Sequence, residues 1–460
     1  MQYSVHRKFF IKSIAIILLL SIFLAGCDTR AARPEGGYPP VESMQEATQT
    51  PTDSIETTRT EIPSPVGLHE LKQENSVTEI PAPTSTPSGT ITLWHSWTDN
   101  ELVSLKQIIN DFQKKNPKVA VELKYIPFDD LPTRFASGVG GAGPDLLLGS
   151  SGWGPELYDA GLVADVSRIA KPKFFEKIGE GALETIRYKN ALIGLPISYN
   201  RGVLIFRNRS VLSEIPQTLA GYLESAVNVT RGDIIGGVID LGFFYSGAYL
   251  SACGGSLMDA RGLPRFENPT GFCWIELLKS IQESGLPVVF NSDLDLERFK
   301  TGKTGFIIAG TWDTASLAEA IGEENLAIDP WPTTEKEPLS GFIETDVVYL
   351  NTNVTPENLV AARSLVRYFL AARAQRNLSK PTAAAKIPVV KGIEISDRLM
   401  EEAVVALENG TPLPGMPAMD YYWGPLDQAI QSILMRGEDP KQTLEKAARQ
   451  IDVQVRSPRR

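Results

Sequence analysis

The chain predicts an α/β fold of two domains. Three observations carry that expectation. From Gly89 onward, short apolar runs of strand character alternate with stretches of helical periodicity. The runs are joined by helical patterns rather than tight turns, which implies βαβ units around a mostly parallel sheet. The folded stretch, Gly89 to about Val455, is about 370 residues long, more than one core accommodates.

Each element follows from its residues. Ile91 to Trp94 is a short apolar strand. Asp99 can cap a helix whose Leu102, Leu105, Ile108, Ile109 and Phe112 share one face, and Pro117 stops it. Val119, Val121, Leu123 and Tyr125 alternate as a strand, and after a further short helix Leu146-Leu147-Leu148 reads as a fully buried one. Val203 to Phe206 and Phe306 to Ala309 repeat that apolar strand pattern. Leu359, Ala362, Leu365, Val366 and Phe369 mark a long amphipathic helix, and Leu434, Leu444 and Ala447 fall in helices near the end. No internal repeat at a fixed period is evident.

The N-terminal segment is not part of this fold. A basic start (His6, Arg7, Lys8, Lys12) leads into an apolar run of eleven residues, Ile14 to Leu24, and then Ala25, Gly26 and Cys27. That is a secretion signal over residues 1–26. A membrane-spanning anchor is the weaker alternative, because a span needs ~20 apolar residues. The ending resembles the lipobox of bacterial lipoproteins, which implies that Cys27 is the lipidated first residue. Acyl chains contribute about 0.8 kcal/mol per buried CH₂, so two or more tether the protein stably outside the cell. Asp28 is compatible with retention at the cytoplasmic membrane. Residues 27–88 are rich in Pro, Ser, Thr and Glu and cannot bury enough apolar area to offset ordering entropy. They read as a disordered stalk reaching roughly 40–50 Å.

The net charge is −10 and the folded region has no lysine or arginine cluster, which excludes a nucleic-acid partner. With Cys27 lipidated, Cys253 and Cys273 remain. A bond between them would be worth roughly 3 kcal/mol in the chain-entropy model; two buried free thiols are the alternative.

Several motifs fail on context. Gly138, Gly140 and Gly143 match G-x-G-x-x-G but follow a helix and precede a strand, the reverse of a dinucleotide turn. Gly302-Lys303-Thr304 looks like the end of a phosphate loop, yet Glu297 stands where glycine is needed. His95 is the one histidine of the folded region and lacks metal-ligand spacing around it, so no metal and no catalytic triad is expected. Glu344 and Asp346 are the nearest pair of carboxylates for glycoside cleavage; their ordinary reading is hydrogen-bonding side chains.

One constellation fits together. Aromatic residues sit where strands end, beside small or polar neighbours: Trp94-His95-Ser96-Trp97, Ser150-Ser151-Gly152-Trp153, Ser198-Tyr199-Asn200-Arg201, Phe243-Phe244-Tyr245-Ser246, Gly310-Thr311-Trp312 and Tyr421-Tyr422-Trp423. In open α/β sheets ligands bind beyond the carboxyl ends of strands. Flat aromatic faces suit the C–H faces of sugar rings, and Asn, Ser, Asp and Glu bond hydroxyls.

With these residues the chain resembles the family 1 extracellular solute-binding proteins of ABC transporters, the maltose-binding-protein-like group. The resemblance rests on Gly143-Pro144-Asp145-Leu146-Leu147-Leu148, Leu195-Pro196 leading to Leu204-Ile205-Phe206, Pro216-Gln217-Thr218, Gly254-Gly255, and Gly302-Lys303-Thr304-Gly305 running to Gly310-Thr311-Trp312. It implies a two-lobed periplasmic-binding-protein-like fold (type II), hinged by crossing strands, with ligand between the lobes. The N-lobe would be 89–200 plus 309–350, and the C-lobe 201–308 plus 351–455. Trp312 and Trp423 match the family's stacking tryptophans. Phe244 and Tyr245 match its aromatic subsite, Trp153 and Ser151 the loop after the buried strand, and Asn200 a hinge-side polar position. The expected ligand contacts are therefore His95, Ser96, Trp97, Ser151, Trp153, Tyr199, Asn200, Phe244, Tyr245, Trp312, Glu344, Asp346, Tyr422 and Trp423.

The chain departs from the family pattern at four positions. Leu219 replaces a frequent tryptophan, Gly152 and Asn200 stand where the best-known member has acidic residues gripping maltodextrin, and Asp427 replaces a basic residue. The resemblance thus implies a sugar, but not maltodextrin in particular. It further implies a monomeric, non-enzymatic capture protein on the extracytoplasmic face of the cytoplasmic membrane, delivering to the transmembrane subunits of an ABC permease and requiring no cofactor. The alternatives are the same fold binding a non-sugar solute or serving a sensor, and a carbohydrate-cleaving enzyme.

Overall fold

The computed structural model describes residues 86–138, 143–380 and 385–457. The signal segment 1–26, Cys27, the stalk up to residue 85 and the middle of the glycine-rich loop lie outside the described residues. Elements are labelled here in chain order.

Nine strands form one sheet: β1 (Gly89–His95), β2 (Val119–Tyr125), β3 (Leu146–Ser150), β4 (Leu195–Asn208), β5 (Phe306–Gly310), β6 (Leu326–Asp329), β7 (Phe342–Leu350), β8 (Ile387–Pro388) and β9 (Thr411–Pro412). Its backbone order is β6-β4-β7-β3-β1-β2, with β5 and β8 also on β4 and β9 on β7. The expected parallel pairing holds for β2-β1-β3. It does not hold at the centre, where β4 and β7 run antiparallel to each other and β7 antiparallel to β3. The reason is topological: β4 and β7 carry the chain from one half of the molecule to the other, in opposite senses.

β4 shows this directly. Its first residues, Leu195 to Gly202, pair with β7, and Tyr199 and Ser198 also pair with β8. From Val203 it pairs instead with β5, and from Ile205 also with β6. One core packs around β1–β3, and Leu204 and Phe206 of β4 face it. Val203 and Ile205, on the opposite face, join a second core with Phe306 and Ile308. Period-two alternation thus lets one strand serve two cores.

The helices fill in the two lobes. α1 (Asp99–Lys115) presents Leu105, Ile108, Ile109 and Phe112 to the first core. Its N-cap is Thr98, with no side-chain cap bond, rather than the expected Asp99, which sits in the first turn. α2 (Leu131–Ser137) follows β2, and α3 (Gly154–Asp159) follows β3. The second lobe adds α4 (Phe243–Ser246), α5 (Pro269–Gln282), α6 (Leu294–Lys300) and α7 (Thr314–Ile321). Later come α8 (Pro356–Tyr368), α9 (Ala372–Leu378), α10 (Arg398–Leu407), α11 (Trp423–Arg436) and α12 (Pro440–Arg456).

The lobe boundaries differ from the expected ones in two places. α8 packs on β1 and β7, and α9 on α1, so Pro356–Leu378 stands on the N-lobe, while α11 and α12 remain with the second core. β5 and β6 pair with the second half of β4, and α7 packs on α6, so 309–329 stands with the C-lobe. Asp145 explains part of this: its carboxylate accepts from Thr92 N at 2.9 Å and from Asn358 Nδ2 at 3.3 Å. The Gly143-Pro144-Asp145 motif therefore ties β1 to α8.

Cys253 and Cys273 are bonded, with Cα atoms 5.9 Å apart; the free-thiol alternative is not what the structure holds. Beside β4, Arg207 donates to both carboxylate oxygens of the buried Asp329 at 2.7 and 3.1 Å. It also donates to the carbonyls of Leu212 and Ser213 at 2.7 and 3.1 Å, and the Tyr222 hydroxyl donates to Asp329 at 2.9 Å. Removing one member of such a buried pair costs about 3–5 kcal/mol. Arg207→Ala should lose about that much in urea unfolding followed by circular dichroism, and a loss under ~1 kcal/mol would contradict the assignment.

Candidate functional site

Two strand ends are built alike. β3 runs into a 3₁₀ turn, Ser151–Trp153, and β5 into a second one, Thr311–Asp313. In the first, Ser150 Oγ accepts from Gly152 N at 3.1 Å; in the second, Asp313 accepts from Gly310 N at 3.1 Å. Each turn folds an indole back over a glycine of its own strand. A Cβ on Gly149 would lie 2.0 Å from the Trp153 ring, and one on Gly310 2.1 Å from that of Trp312. Glycine is required at both positions because the rings occupy that space.

Around Trp312 three rings converge from distant segments. Phe244 lies 6.0 Å from Trp312 and 6.1 Å from Trp423, centroid to centroid, at tilts of 40° and 41°. All three are half-buried. Asp427, the departure noted in the sequence, organises them from behind: its carboxylate accepts from Phe243 N at 2.8 Å and from Asn291 Nδ2 at 2.9 Å. That holds the start of α4 against α11. On the N-lobe, Trp153 is covered by Phe128, 4.8 Å away and 44% exposed.

The crossing strands bring charge. Glu344 of β7 pairs across the ladder with Arg201 of β4, their nearest atoms 3.5 Å apart. Glu344 Oε1 points toward Gly152, being 3.5 Å from where a Cβ there would stand. Two residues on and on the same face, Asp346 accepts from Ser198 Oγ at 2.7 Å and lies 3.1 Å from Lys386 Nζ. Lys386 also reaches Glu101 at 2.7 Å and stands 5.2 Å above the Trp97 ring. Burial works against the Lys386 charge, but Asp346 and Glu101 outweigh it and hold its pKa above the ordinary value. Burial pushes the Glu344 carboxyl up, with Asp346 adding to it and Arg201 and the Ser150 hydroxyl opposing.

The expected contacts therefore divide. Phe244, Trp312 and Trp423 come together, Trp153 lies against Phe128, Glu344 and Asp346 stand on a crossing strand, and Trp97, 5% exposed, is part of the first core. Ser96 and Asn200 are half-buried at the ends of β1 and within β4. Tyr199, Tyr245 and Tyr422 are 3%, 3% and 0% exposed and belong to the packed cores rather than to an open surface. Tyr422 donates to the carbonyl of Gly262 at 2.8 Å, and burial raises its pKa. Ser151 is engaged structurally, its Oγ accepting from Thr345 N at 3.1 Å. His95 is buried, and that burial lowers its pKa against an opposing hydrogen bond at Trp97.

The expected contacts left out Phe128 and Lys386, and also Arg201, which the sequence named only as a neighbour of Asn200. Phe128 had a signal, since it follows β2 as Trp153 follows β3. Lys386 had none, because its partners lie far away in sequence. A separate cavity of about 20 Å³, lined by Tyr222, Tyr249, Trp331 and neighbouring apolar side chains in the C-lobe core, is far too small for a sugar ring. Among the described residues no group of three His, Cys, Asp or Glu is placed to hold a metal ion.

Comparison with known proteins adds context. The family description "Bacterial extracellular solute-binding protein" matches residues 107–403. The maltotriose-binding protein of Pyrococcus abyssi (strain GE5 / Orsay) is 24% identical over 377 residues, covering 77% of this chain and 79% of its own. The galactooligosaccharide-binding protein of Bacillus subtilis (strain 168) is 23% identical over 385 residues, covering 78% and 89%. The solved extracellular solute-binding protein from Staphylococcus aureus, in complex with maltose, has a TM-score of 0.70 at 20% identity, covering 80% of this chain and 98% of that one. At that identity the likeness is one of fold.

Because Glu344 has a higher pKa folded than unfolded, the folded state holds more protons between the two values. Stability then falls as pH rises from the ordinary 4.5 through the raised native value. Glu344→Gln removes that fall. Its melting temperature should be close to that of the parent protein at pH 4 and above it at pH 7; a variant that melts lower at pH 7 would show that the carboxylate is net stabilising.

Proposed function

We propose, on the premise that the chain belongs to the bacterial extracellular solute-binding protein family, that it captures an oligosaccharide between its two lobes and delivers it to an ABC permease. The fold is the two-lobed, maltose-binding-protein-like one of its structural neighbours. Its relatives are sugar-binding proteins, named for maltotriose and for galactooligosaccharides. The observation that carries the reading is the convergence of Phe244, Trp312 and Trp423 from three segments.

In this reading the three rings stack on the C–H faces of successive sugar units, while Trp153 and Phe128 offer the facing surface on the N-lobe. Ser96, Asn200 and Glu344 meet the ligand's polar edge, with Trp97 packed beneath. His95, Ser151, Tyr199, Tyr245, Asp346 and Tyr422 support these residues from beneath. Ligand favours the closed arrangement only through contacts made with both lobes at once. A micromolar site corresponds to about −8 kcal/mol, within reach of two or three stacked rings and a few hydroxyl bonds. The family places the protein outside the cytoplasm, where a disulfide such as Cys253–Cys273 persists. Lipidation at Cys27 then tethers it to the membrane beside its permease.

A panel of neutral glycans read by intrinsic tryptophan fluorescence and calorimetry tests the proposal. Saturable binding without product formation supports it; turnover would make the protein an enzyme, and silence toward every glycan would point to another solute. With the glycan that binds, Trp312→Ala should weaken affinity at least tenfold. Gly310→Ala should weaken it comparably, because the new methyl displaces the indole without removing it.

A further inference from the structure

The charge of this acidic chain is unevenly placed. Glu357, in the first turn, is the only acidic residue of α8 and α9, whereas Arg363, Arg367, Arg373 and Arg376 are spaced along them. These arginines are too far apart to form a cluster in the sequence; helix packing assembles one. α8 buries Ala361, Ala362, Leu365 and Val366, which leaves Arg363 and Arg367, four residues apart, on its outer side. Arg363 Nε is buried without a hydrogen-bond partner among the described residues. The Arg367 guanidinium makes long bonds, 3.4 Å each, to the carbonyl of Ile169 and to Ser364 Oγ. The end of α1 joins this surface. Lys115 Nζ stands 5.2 Å from the centre of the Tyr368 ring. Asp111 accepts from Arg373 at 2.6 and 3.0 Å and lies 3.9 Å from Lys114. One carboxylate thus meets two cations, and the Lys114 and Arg373 side chains remain 75% and 63% exposed.

The chain enters the fold beside this face. Gly89 N donates to the carbonyl of Lys118 at 3.0 Å, just past the end of α1. A Cβ on Gly89 would stand 2.7 Å from Asn358 Oδ1, at the start of α8. From Gly89, β1 runs to His95, about 20 Å at the rise of a strand, and ends beside Ser96 of the candidate site. The basic face and that site therefore lie toward opposite ends of β1. Dispersed cations of this kind complement a surface of phosphate groups rather than one small anion. Guanidinium forks match phosphate oxygens, and grouped lysines and arginines draw a protein to anionic lipid. Because the proposed anchor at Cys27 leads into the fold at Gly89, the phosphate surface at hand is the bilayer. We infer that the α1–α8–α9 face of the N-lobe docks on anionic phospholipid, holding the protein on its membrane with the sugar site turned away from the bilayer and open to ligand. The inference goes beyond the proposed tether at Cys27 and rests on it.

The test binds the full chain to vesicles of phosphatidylcholine, or of phosphatidylcholine with about one third phosphatidylglycerol, and recovers it by flotation. Its lysines are then labelled with an amine-reactive reagent and read by mass spectrometry. Lys114 and Lys115 should label at least fivefold more slowly on the anionic vesicles, and the protection should vanish in about 1 M NaCl, where the screening length is ~3 Å. Lys441 and Lys446, exposed on α12, should label alike on both. Arg363→Gln, Arg367→Gln and Arg376→Gln combined should remove most of the protection, with circular dichroism and glycan affinity unchanged. Equal labelling of Lys114 and Lys115 on the two vesicles, from a chain that floats with both, would overturn the inference and leave the tether standing. Flotation with neither would take both down. Protection by soluble polyphosphate but not by anionic vesicles would make the face a polyanion site and likewise overturn the assignment to lipid.

Discussion

Strand β4 belongs to two cores at once, and the rest of the molecule is arranged around that fact. Its fourteen residues exchange partners at Gly202–Val203, from β7 and β8 to β5 and β6. Period-two alternation then sends Leu204 and Phe206 one way and Val203 and Ile205 the other. A strand shared in this way can neither slip by a residue nor detach from one half without exposing apolar side chains of the other. Arg201 stands next to that exchange point.

The aromatic walls inherit their precision from that frame. The 3₁₀ turns after β3 and β5 each lay an indole on a glycine of the preceding strand, so ring position is set by main chain rather than by a flexible side-chain neighbourhood. Asp427 fixes the third ring's support through the backbone N–H of Phe243. The acidic substitution that looked in the sequence like a change of ligand preference is, in the structure, a buried strut. The charged residues of the crossing strands are different in kind. Their charges meet across strands distant in the chain, and Glu344 sits where burial disfavours its ionisation.

Much of the fold was legible because helix and strand periods are local. The face of α1, the alternation in β2 and the buried run of β3 each follow from a dozen residues or fewer. Lobe membership was not legible to the same degree. The apolar stripe of α8 says that the helix packs on something, but the choice of β1 and β7 depends on Asn358 meeting Asp145, over two hundred residues upstream. The aromatic clusters posed a similar problem. The sequence pattern marks Trp312 and Tyr422 alike, yet one ring is half-buried after β5 and the other lies wholly inside, at the start of α11 rather than at a strand end; only the packing of α11 on α12 and on α5 separates inward from outward. Lys386 was beyond reach for the same reason, since β8 joins β4 by two residue pairs alone.

The glycine seats of Trp153 and Trp312 carry a consequence for descent. When the orientation of an indole depends on a hydrogen atom at Gly149 or Gly310, the surrounding rim is released from the task of aiming it. Phe128, Gly152 and Asn200 can then be exchanged for other residues while the rings keep their bearing. Two small residues would in this way act as fixed points about which the rest of the rim is free to vary.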